Sequence, residues 1–595
     1  MKSATLILLF SLAGALVPSS GGAQLWVFPS GEGDDADVAA VAVSPDGGIV
    51  FVGTADQGKT VDMVVAKYDP SGKLLWSEVY DGPLQLDDEA RDVLVDAQSN
   101  VYVLVREDFS NRDITSIGTV HKYSSTGTRL WRKELPALAR TVAPSALAWT
   151  SNGMVAVTAT VQWVPGSSAF GAGVLTGEGD IHWWTTVVPP SGLLAAATDL
   201  AVGDNNNVYV SGFARMQFGY DSAALLAFDP TGVLLWERYY NTENPGDNRF
   251  FRVATDDATG RVIAGGHGRR QEHHSGALVI QAYDQEGALL WDWWHDGSGG
   301  DMDYVADFVV TEGGYVHFTG RYVVENNARR MMAGRLRPGG TLEWLSIVSG
   351  PLHGNGESTA LTIDDEGNTW VTGTTTVASM PGLSVAKFDR TGALEWLLQR
   401  GTDSYTKGIA TSIARAPDGV VYAGGLVTRN RIEHLAIAKI LEPEVLAPTD
   451  FAITRGLLVG GGLEQLLRSD DSRISILALP YNEVAVASAE VVVSSVAQAR
   501  TGSELIVRLE AAASASPVRQ RLELFNYTLG AWVQIAEIDA ATSDRYLEVA
   551  VTADVEEYID PNSGRMDLRV GFHNRGVSEA AWVATLDFVQ FVLIP

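Results

Sequence analysis

The chain has 595 residues, 43 basic against 72 acidic side chains, a formal net charge of −29 and no cysteine. Its length permits two or more domains, and a hydrophobic content of 46% is typical of packed cores. The lack of cysteine excludes disulfides, thiolate metal sites and cysteine nucleophiles. The negative charge argues against nucleic acid or an anionic membrane as a partner, because a polyanion is repelled.

Residues 1–23 are typical of an export signal. Lys2 precedes an apolar run from Ala4 to Val17, and small residues follow up to Ala23. We expect cleavage after Ala23 and a mature protein that is secreted or periplasmic. No later stretch has the uninterrupted apolar length of a membrane helix, so we expect no transmembrane segment.

Eight tryptophans recur at intervals of 50 to 55 residues, which is the length of one propeller blade. A buried indole removes about 200 Å² from water, roughly 5 kcal/mol by area, and a repeated aromatic at fixed spacing is usually part of a core. We therefore assign all eight to packing between blades. They are Trp26, Trp76, Trp131, Trp184, Trp236, Trp291, Trp344 and Trp396.

Each repeat contains two predicted hairpins. The first, as in 41–53 (VAVSPDGGIVFVG), has an Asp/Asn/Gly turn between alternating apolar residues, as a half-buried hairpin requires. The second, as in 64–76 (VVAKYDPSGKLLW) and 225–236 (LLAFDPTGVLLW), opens its turn with Asp and closes it with Gly. Each repeat therefore predicts four antiparallel strands.

The two hairpins do not occur equally often. There are eight copies of the first but seven complete copies of the second, because segment 434–444 has no tryptophan. Segment Gln24–Phe28 at the predicted mature N-terminus resembles the missing outer strand. We predict that residues 24–443 form an eight-bladed β-propeller closed by this N-terminal strand, with seven blades as the alternative.

Two families resemble these repeats. The pattern A-x-x-D-x-x-G-x-x-x-W, as in 386–396 (AKFDRTGALEW), resembles the tryptophan-docking motif of eight-bladed quinoprotein dehydrogenases. The pattern at 364–373 (DDEGNTWVTG) resembles bacterial SBBP-type repeats, which imply a secreted propeller without a defined role. Quinoprotein alcohol dehydrogenases carry vicinal cysteines beside their cofactor. This chain has none, so their catalytic residues cannot be transferred to it.

A different pattern follows the repeats. Residues 444–455 contain prolines and acids and are predicted to form a linker, and residues 456–595 contain short alternating strands that favour a β-sandwich or jelly roll. Segment 523–532 (ELFNYTLGAW) is part of a resemblance to a C-terminal module common on exported bacterial proteins. Folds of this type often bind glycans or proteins. For this chain, that expectation rests on the resemblance of fold alone.

Candidate metal ligands are few. His267, His273 and His274 lie in a polar segment whose spacing matches no zinc signature, so a solvated loop is the preferred interpretation. Asp470 and Asp471 precede a strand of the last domain and are weak calcium candidates. We predict no cofactor, with calcium as the one possible ion.

No nucleophile elbow, Walker loop or Rossmann fingerprint is present, and we assign no catalytic residue. The leading hypothesis is a secreted, non-catalytic binding or scaffold protein, monomeric, with a protein or glycan partner at the cell surface. One alternative is an extracytoplasmic enzyme, acting on polysaccharide or resembling quinoprotein oxidoreductases, with a site at the propeller mouth. The other is a calcium-stabilised adhesin.

Overall fold

The computed structural model forms two compact units, one of residues 17–440 and one of residues 1–16 with 441–595. Within the described residues, the regular structure consists of β-strands and three short 3-10 helices, Glu325–Asn327, Leu463–Leu466 and Val555–Tyr558. The described residues are 8–9, 22–28, 36–56, 60–109, 114–136, 139–216, 219–241, 247–269, 276–348, 355–377, 380–400, 407–429, 432–467, 472–481, 486–502, 504–515, 517–574 and 581–594.

The described residues of the first unit form eight four-stranded antiparallel sheets, here numbered 1 to 8. In sheets 1 to 7 the strands pair in chain order, and a single parallel bridge joins sheets 2 and 3. Sheet 1 has strands Ala36–Val43, Ile49–Asp56, Val61–Tyr68 and Leu74–Tyr80; sheet 2 has Asp88–Val95, Val101–Asp108, Ser116–Tyr123 and Arg129–Glu134; sheet 3 has Thr141–Trp149, Val155–Val164, Ser167–Leu175 and Ile181–Val187; sheet 4 has Ala195–Val202, Val208–Arg215, Asp221–Phe228 and Leu234–Tyr240.

Sheets 5 to 8 continue this arrangement, and the last of them takes its fourth strand from the N-terminus. Sheet 5 has strands Arg249–Asp256, Arg261–Gly268, Ala277–Tyr283 and Leu289–His295; sheet 6 has Tyr304–Thr311, Tyr315–Val324, Ala328–Leu336 and Leu342–Val348; sheet 7 has Gly356–Ile363, Thr369–Val377, Met380–Phe388 and Leu394–Arg400; sheet 8 has Lys407–Arg415, Val421–Arg429, Ile432–Leu441 and Gly22–Val27.

The turn between the third and fourth strands explains the repeated Asp and Gly. Asp69 Oδ1 accepts the backbone N–H groups of Ser71 and Lys73 at 2.9 and 3.0 Å, which fixes the turn from its first residue. Gly72 has φ +89°, a conformation that glycine adopts without the steric cost of a side chain. Equivalent aspartates make the same bonds in sheets 4, 5 and 7; they are Asp229, Asp284 and Asp389.

The first strands of neighbouring sheets contact one another. Each first strand has a register shift, such as the one between Val38 and Ala40, and packs against the first strand of the next sheet. The strand Lys407–Arg415 of sheet 8 packs in the same way against Ala36–Val43 of sheet 1. The first strands of all eight sheets therefore have a neighbour on both sides.

Sheet 8 combines the two ends of this unit. Strand Gly22–Val27 pairs with Ile432–Leu441, and the backbone N–H of Phe28 donates to the carbonyl of Leu435 at 2.9 Å. The segment predicted from sequence as a displaced outer strand thus occupies that position in sheet 8. Trp26 and Phe28 are both buried in a cluster that includes Phe51 of sheet 1.

The second unit contains two antiparallel sheets whose strands share one apolar core. Val491 of one sheet, Leu586 of the other and the indole of Trp582 all belong to that core. The first sheet has strands Leu8–Leu9, Glu444–Leu446, Leu457–Gly460, Ile474–Leu477, Glu504–Ala513, Arg545–Val551 and Val583–Ile594; the second has Asp450–Arg455, Leu479–Tyr481, Val486–Val496, Val518–Asn526, Ala531–Asp539 and Arg565–Asn574.

The boundary of this unit differs from the sequence prediction. Residues 444–455 were predicted to be a linker, but Glu444–Leu446 pairs with Val583–Ile594, and Asp450–Arg455 pairs with Val486–Val496. The unit begins at Leu441 rather than at Gly456. The prolines at 443 and 448 flank the first of these strands, and a strand of three residues is too short to produce a visible alternating pattern.

Most of the predicted signal peptide lies outside the described residues. Leu8–Leu9 pairs with Arg545–Val551, and Gly22 and Ala23 belong to the strand of sheet 8. Cleavage after Ala23 stays a prediction. Among the described residues, no helix has the length and apolar character needed to cross a membrane.

Candidate functional site

The repeated tryptophans lie against the turn glycines of the neighbouring sheets. A methyl group placed on Gly127 would lie 2.6 Å from the indole of Trp76, and one on Gly72 would overlap that of Trp26. The turn needs glycine both for its positive φ and for the space that the indole occupies. The pairs of this kind are Trp26–Gly72, Trp76–Gly127, Trp131–Gly179, Trp236–Gly287, Trp291–Gly340 and Trp344–Gly392.

Sheet 3 requires a correction of one residue. There Trp183, and not Trp184, contacts the turn glycine of the next sheet, Gly232, where an added methyl group would lie 2.6 Å from the indole. Trp183 lies seven residues after the residue that opens its turn, Thr176, and six other repeat tryptophans, all but Trp26, keep this spacing. Trp184 points to the other face of the strand, where it covers Gly173 of its own sheet.

Trp396 of sheet 7 has a different environment. The third strand of sheet 8 is followed by the second unit, so no turn glycine is available to receive this indole. Trp396 is buried and packs edge-on against Trp370, with ring centroids 5.2 Å apart. It shares an apolar cluster with Ile440 and with Leu25 from the N-terminal strand.

Three indole N–H groups donate to backbone carbonyls of the next sheet. Trp76 bonds to Ser125 at 3.0 Å, Trp131 to Gly177 at 3.2 Å, and Trp236 to Gln285 at 2.7 Å. Each of these indoles therefore lies between two sheets, and its N–H group is hydrogen-bonded there.

A second set of side chains lies on the first strands. Each register shift leaves one central residue unpaired, and these side chains belong to the residue that follows it. In sheets 2, 4 and 6 this position is an aspartate whose carboxylate accepts a backbone N–H of the following sheet. The bonds are Asp92 to Leu147 at 2.7 Å, Asp199 to Val253 at 3.0 Å, and Asp307 to Leu361 at 3.0 Å.

Sheet 5 has Arg252 at the same position. Its Nε lies 3.2 Å from Asp307, and its Nη1 lies 3.9 Å from Asp199. Burial raises the pKa of Asp199 and Asp307, and the guanidinium of Arg252 opposes that shift. Burial raises the pKa of Asp92 to about 6, although backbone N–H bonds from Leu147 and Val93 lower it. A carboxyl group that titrates near neutrality can take up and release a proton at physiological pH.

Hydroxyl groups make similar bonds at four sheet junctions, one of which, between sheets 4 and 5, also has the Asp199 bond. Each is the central residue of a register shift and donates to a carbonyl of the next first strand. The bonds are Ser145 to Ala197 at 2.6 Å, Thr198 to Phe250 at 2.9 Å, Thr359 to Ala410 at 2.8 Å, and Thr411 to Val38 at 2.6 Å. The last joins sheet 8 to sheet 1.

Of the metal ligands predicted from sequence, the structure describes His267. His267 lies in the strand Arg261–Gly268, where its ring is buried beside Phe251 with centroids 5.3 Å apart, and burial lowers its pKa to about 4. The prediction of a solvated loop is therefore wrong for this residue. A neutral imidazole can ligate a metal, but His273 and His274 lie outside the described residues. Asp470 and Asp471 also lie outside them, so both metal sites stay predictions.

The turn at Asp364, between the first two strands of sheet 7, illustrates why the hairpin turns are rich in carboxylates. Asp364 Oδ1 accepts the N–H groups of Glu366 and Asn368 at 3.1 and 2.8 Å, and Oδ2 accepts from the Trp370 indole at 3.1 Å. Both oxygens of Asp364 are therefore used within the hairpin itself.

An apolar feature of the surface was missed in the sequence analysis. The residue immediately before the repeat tryptophan is an exposed leucine in sheets 1, 2, 4 and 5, whereas it is Glu343 in sheet 6 and Glu395 in sheet 7. We call these four residues the leucine set; they are Leu75, Leu130, Leu235 and Leu290, with exposed fractions of 50, 52, 47 and 49%.

No protein-family model matches the chain, and no curated protein matches it. Among solved structures, Sqt1 of Saccharomyces cerevisiae is 7% identical with a TM-score of 0.42, over 68% of this chain and 96% of that one. Sqt1 of Chaetomium thermophilum is 9% identical with a TM-score of 0.44, over 71% and 100%. The polysaccharide lyase Uly1 is 11% identical with a TM-score of 0.38, over 70% and 90%.

Proposed function

We propose that the eight sheets form a closed, eight-bladed β-propeller and that the second unit is a β-sandwich. The closure is supported by three contacts between sheets 8 and 1: Trp26 lies against Gly72, Thr411 donates to Val38, and Lys439 donates to the carbonyl of Pro70 at 3.0 Å. The sandwich is supported by the apolar core that the two sheets of the second unit share.

We further propose that the protein is an exported binding or scaffold protein whose partner is another protein. The observation that carries this proposal is the leucine set, because apolar side chains exposed at the same position of four sheets offer surface that the apolar side chains of a protein partner would bury. The outer strands that hold these leucines are also sheet edges in the described chain, with backbone groups available for pairing. A glycan partner is favoured less, since aliphatic side chains offer a sugar few hydrogen bonds.

The test replaces all four members of the leucine set with glutamate, the residue that sheets 6 and 7 carry at this position. The wild type and this variant are immobilised and exposed to the exported proteins of the source organism, and the captured proteins are quantified. The matched control is L529E, a single change at an exposed leucine of the second unit. We expect the quadruple variant alone to lose a partner, and identical capture by all three proteins would contradict the proposal.

The enzyme hypothesis is favoured by one observation, the pKa of Asp92 near neutrality. Groups with such shifts are enriched among catalytic acids and bases. Here the substrate would be a polysaccharide or a small alcohol bound at the mouth of the proposed propeller. The test is turnover of a panel of soluble polysaccharides and alcohols by the wild type and D92N. Activity that D92N abolishes would replace the binding proposal with an enzymatic one.

A further inference from the structure

Three carboxylates meet at the junction of sheets 1 and 2. Asp62 lies in the third strand of sheet 1, Asp81 follows its fourth strand, and Asp88 begins the first strand of sheet 2. One oxygen from each lies within 4.8 Å of the other two. Asp62 and Asp88 are 3% and 1% exposed, whereas Asp81 faces solvent. The group therefore has a buried side and an open side.

Asp62 has a buried oxygen without a partner. Its Oδ1 is inaccessible to solvent and forms no hydrogen bond with any described residue. Asp88 Oδ2 accepts the backbone N–H of Gly82 at 2.5 Å. A buried carboxylate oxygen that has lost its hydration without gaining a hydrogen bond is costly, so a ligand at this position would relieve that cost.

At the junction of sheets 4 and 5, the residues at the positions equivalent to Asp62, Asp81 and Asp88 are uncharged. At both junctions an aspartate accepts the N–H of the residue that begins the third strand: Asp87 bonds to Val61, and Asp247 bonds to Asp221, each at 3.0 Å. This shared bond aligns the two junctions residue by residue.

By that alignment, the positions of Asp62 and Asp88 are held by Ser222 and Asn248, and the position of Asp81 is held by Asn241. Asn248 Nδ2 donates to Asn241 Oδ1 at 3.2 Å. An amide pair can satisfy itself in this way, since each amide has both a donor and an acceptor. Ionised carboxylates only accept, so three of them need a cation or protons between them.

The junction of sheets 1 and 2 lacks the side-chain bonds that join other first strands. Sheet 1 has Ala39 and Ala40 where the other sheets have a hydroxyl, a carboxylate or the guanidinium of Arg252 that reaches the next sheet. The first strand of sheet 1 therefore has only methyl groups at these two positions, and the bonds between Val61 and Asp87 and between Trp76 and Ser125 join the two sheets elsewhere. A cation bound by residues of both sheets would add a further connection.

We propose that Asp62, Asp81 and Asp88 bind a hard divalent cation, with calcium preferred, that connects sheet 1 to sheet 2. The ligands are carboxylate oxygens, which hard cations select over nitrogen or sulfur. The open side at Asp81 leaves room for water molecules, which calcium needs to reach six to eight ligands. The site is separate from Asp470 and Asp471 and does not depend on the leucine set.

The experiment uses the full chain, stripped with a chelator and titrated with calcium chloride, magnesium chloride or terbium chloride. Calorimetry gives the stoichiometry, and terbium emission sensitised by the neighbouring Tyr80 reports the location. The test variant is D62S/D81N/D88N, which reproduces the set at sheets 4 and 5 and is expected to fold. The control is D180N, at an exposed turn of sheet 3.

We expect the wild type and D180N to bind one calcium ion at this site and to melt at a higher temperature with calcium than with chelator. The triple variant should bind calcium at least about tenfold more weakly, because no carboxylate of the set is left. With chelator present, it should melt at or above the wild-type temperature, since the repulsion is removed. Calcium binding of equal affinity in the triple variant, or no binding by the wild type, would overturn the proposal.

Discussion

The junction of sheets 8 and 1 and the junction of sheets 4 and 5 share two contacts, although sheet 4 is one continuous segment and sheet 8 is assembled from two distant ones. Trp26 covers Gly72 at the first junction, and Trp236 covers Gly287 at the second. A threonine hydroxyl donates to the next first strand in both, from Thr411 and from Thr198.

This agreement teaches that side-chain contacts specify how neighbouring sheets pack, whether or not the strands of a sheet are contiguous in sequence. In sheet 4 the hydroxyl and the indole belong to one segment, and in sheet 8 they come from opposite ends of the first unit, yet they take equivalent positions. These two contacts should therefore contribute a similar energy at each junction, and the junction of sheets 4 and 5 also has the bonds between Trp236 and Gln285 and between Asp199 and Val253. The junction of sheets 8 and 1 additionally depends on strand Gly22–Val27 remaining paired with sheet 8.

The largest effect should come from deleting residues 24–28. The deletion removes most of the outer strand of sheet 8 together with Trp26 and Phe28, which are buried against sheet 1. We expect a fall of more than about 10 °C in the melting temperature by calorimetry, since several buried side chains are lost at once. W236A, which removes one indole and no strand, is the control. An unchanged melting curve for the deletion would disprove the closure that we propose.

Next in size is the comparison of Trp183 with Trp184. Trp183 contacts the turn of sheet 4, whereas Trp184 covers a glycine of its own sheet. We expect W183A to reduce the free energy of unfolding by about 3 kcal/mol or more, and W184A to reduce it by less. Urea denaturation of the two variants measures this difference. A larger loss for W184A would show that the register inferred from sequence is the right one.

Glycine substitutions separate backbone strain from contact with the indole. Gly72 and Gly153 both have positive φ, but a methyl group on Gly153 would meet no atom within 4 Å. We expect G153A to cost about 1 kcal/mol through its backbone alone, and G72A to cost about 2–3 kcal/mol because the Trp26 indole must also move. G287A should match G72A if the two junctions are equivalent. Equal losses for G72A and G153A would contradict the contact.

Asp92 provides a pH-dependent test of the carboxylate bonds. Its folded pKa of about 6 lies above the ordinary value of 3.8, so the folded state binds this proton more tightly than the unfolded state. Its contribution to stability is therefore present below the ordinary value and is lost as the pH rises through about 6. The D92N variant has no titratable group at this position, so it lacks the pH-dependent contribution to stability. Its bond to Leu147 is also weaker at every pH.

We expect the stability difference between the wild type and D92N to change by about 1–2 kcal/mol between pH 4 and pH 7, in favour of the wild type at the lower pH. Denaturation curves at several pH values measure this change. A difference that is constant with pH would show that Asp92 titrates normally.

The smallest effect should come from the hydroxyl bonds. T411V and T198V each remove one donor to a backbone carbonyl with little change of shape. We expect each to cost about 1 kcal/mol. Similar losses would support the equivalence of the two junctions. A loss confined to T198V would show that the junction of sheets 8 and 1 is looser in solution than in the structure.

Much of this arrangement is predictable because it repeats. The Asp and Gly of each turn and the regular tryptophans predict four strands per repeat, and the all-β structure with its four-stranded sheets confirms this. The displaced strand near Trp26 is predictable because one repeat lacks its second hairpin. Trp183 was missed because two tryptophans are adjacent, yet counting seven residues from the opening of the turn at Thr176 would have selected it.

The side-chain clusters could not be predicted in the same way. Asp199, Arg252 and Asp307 are about one repeat apart, and nothing in the local sequence of each shows that the guanidinium of Arg252 approaches both carboxylates. Asp62 and Asp88 are closer in sequence, but each resembles an ordinary strand-end aspartate. Their proximity depends on how two sheets pack, which periodicity does not describe.

The pairing of Phe28 with Leu435 also has a consequence for the order in which the chain folds. Contacts between residues so far apart in sequence form slowly, because a long loop must close before they contribute. The N-terminal strand is synthesised first but cannot pair until the third strand of sheet 8 exists. Sheets 1 to 7 can form and stack in the meantime, so we expect this strand to join last and its pairing to be the slow, final step of folding.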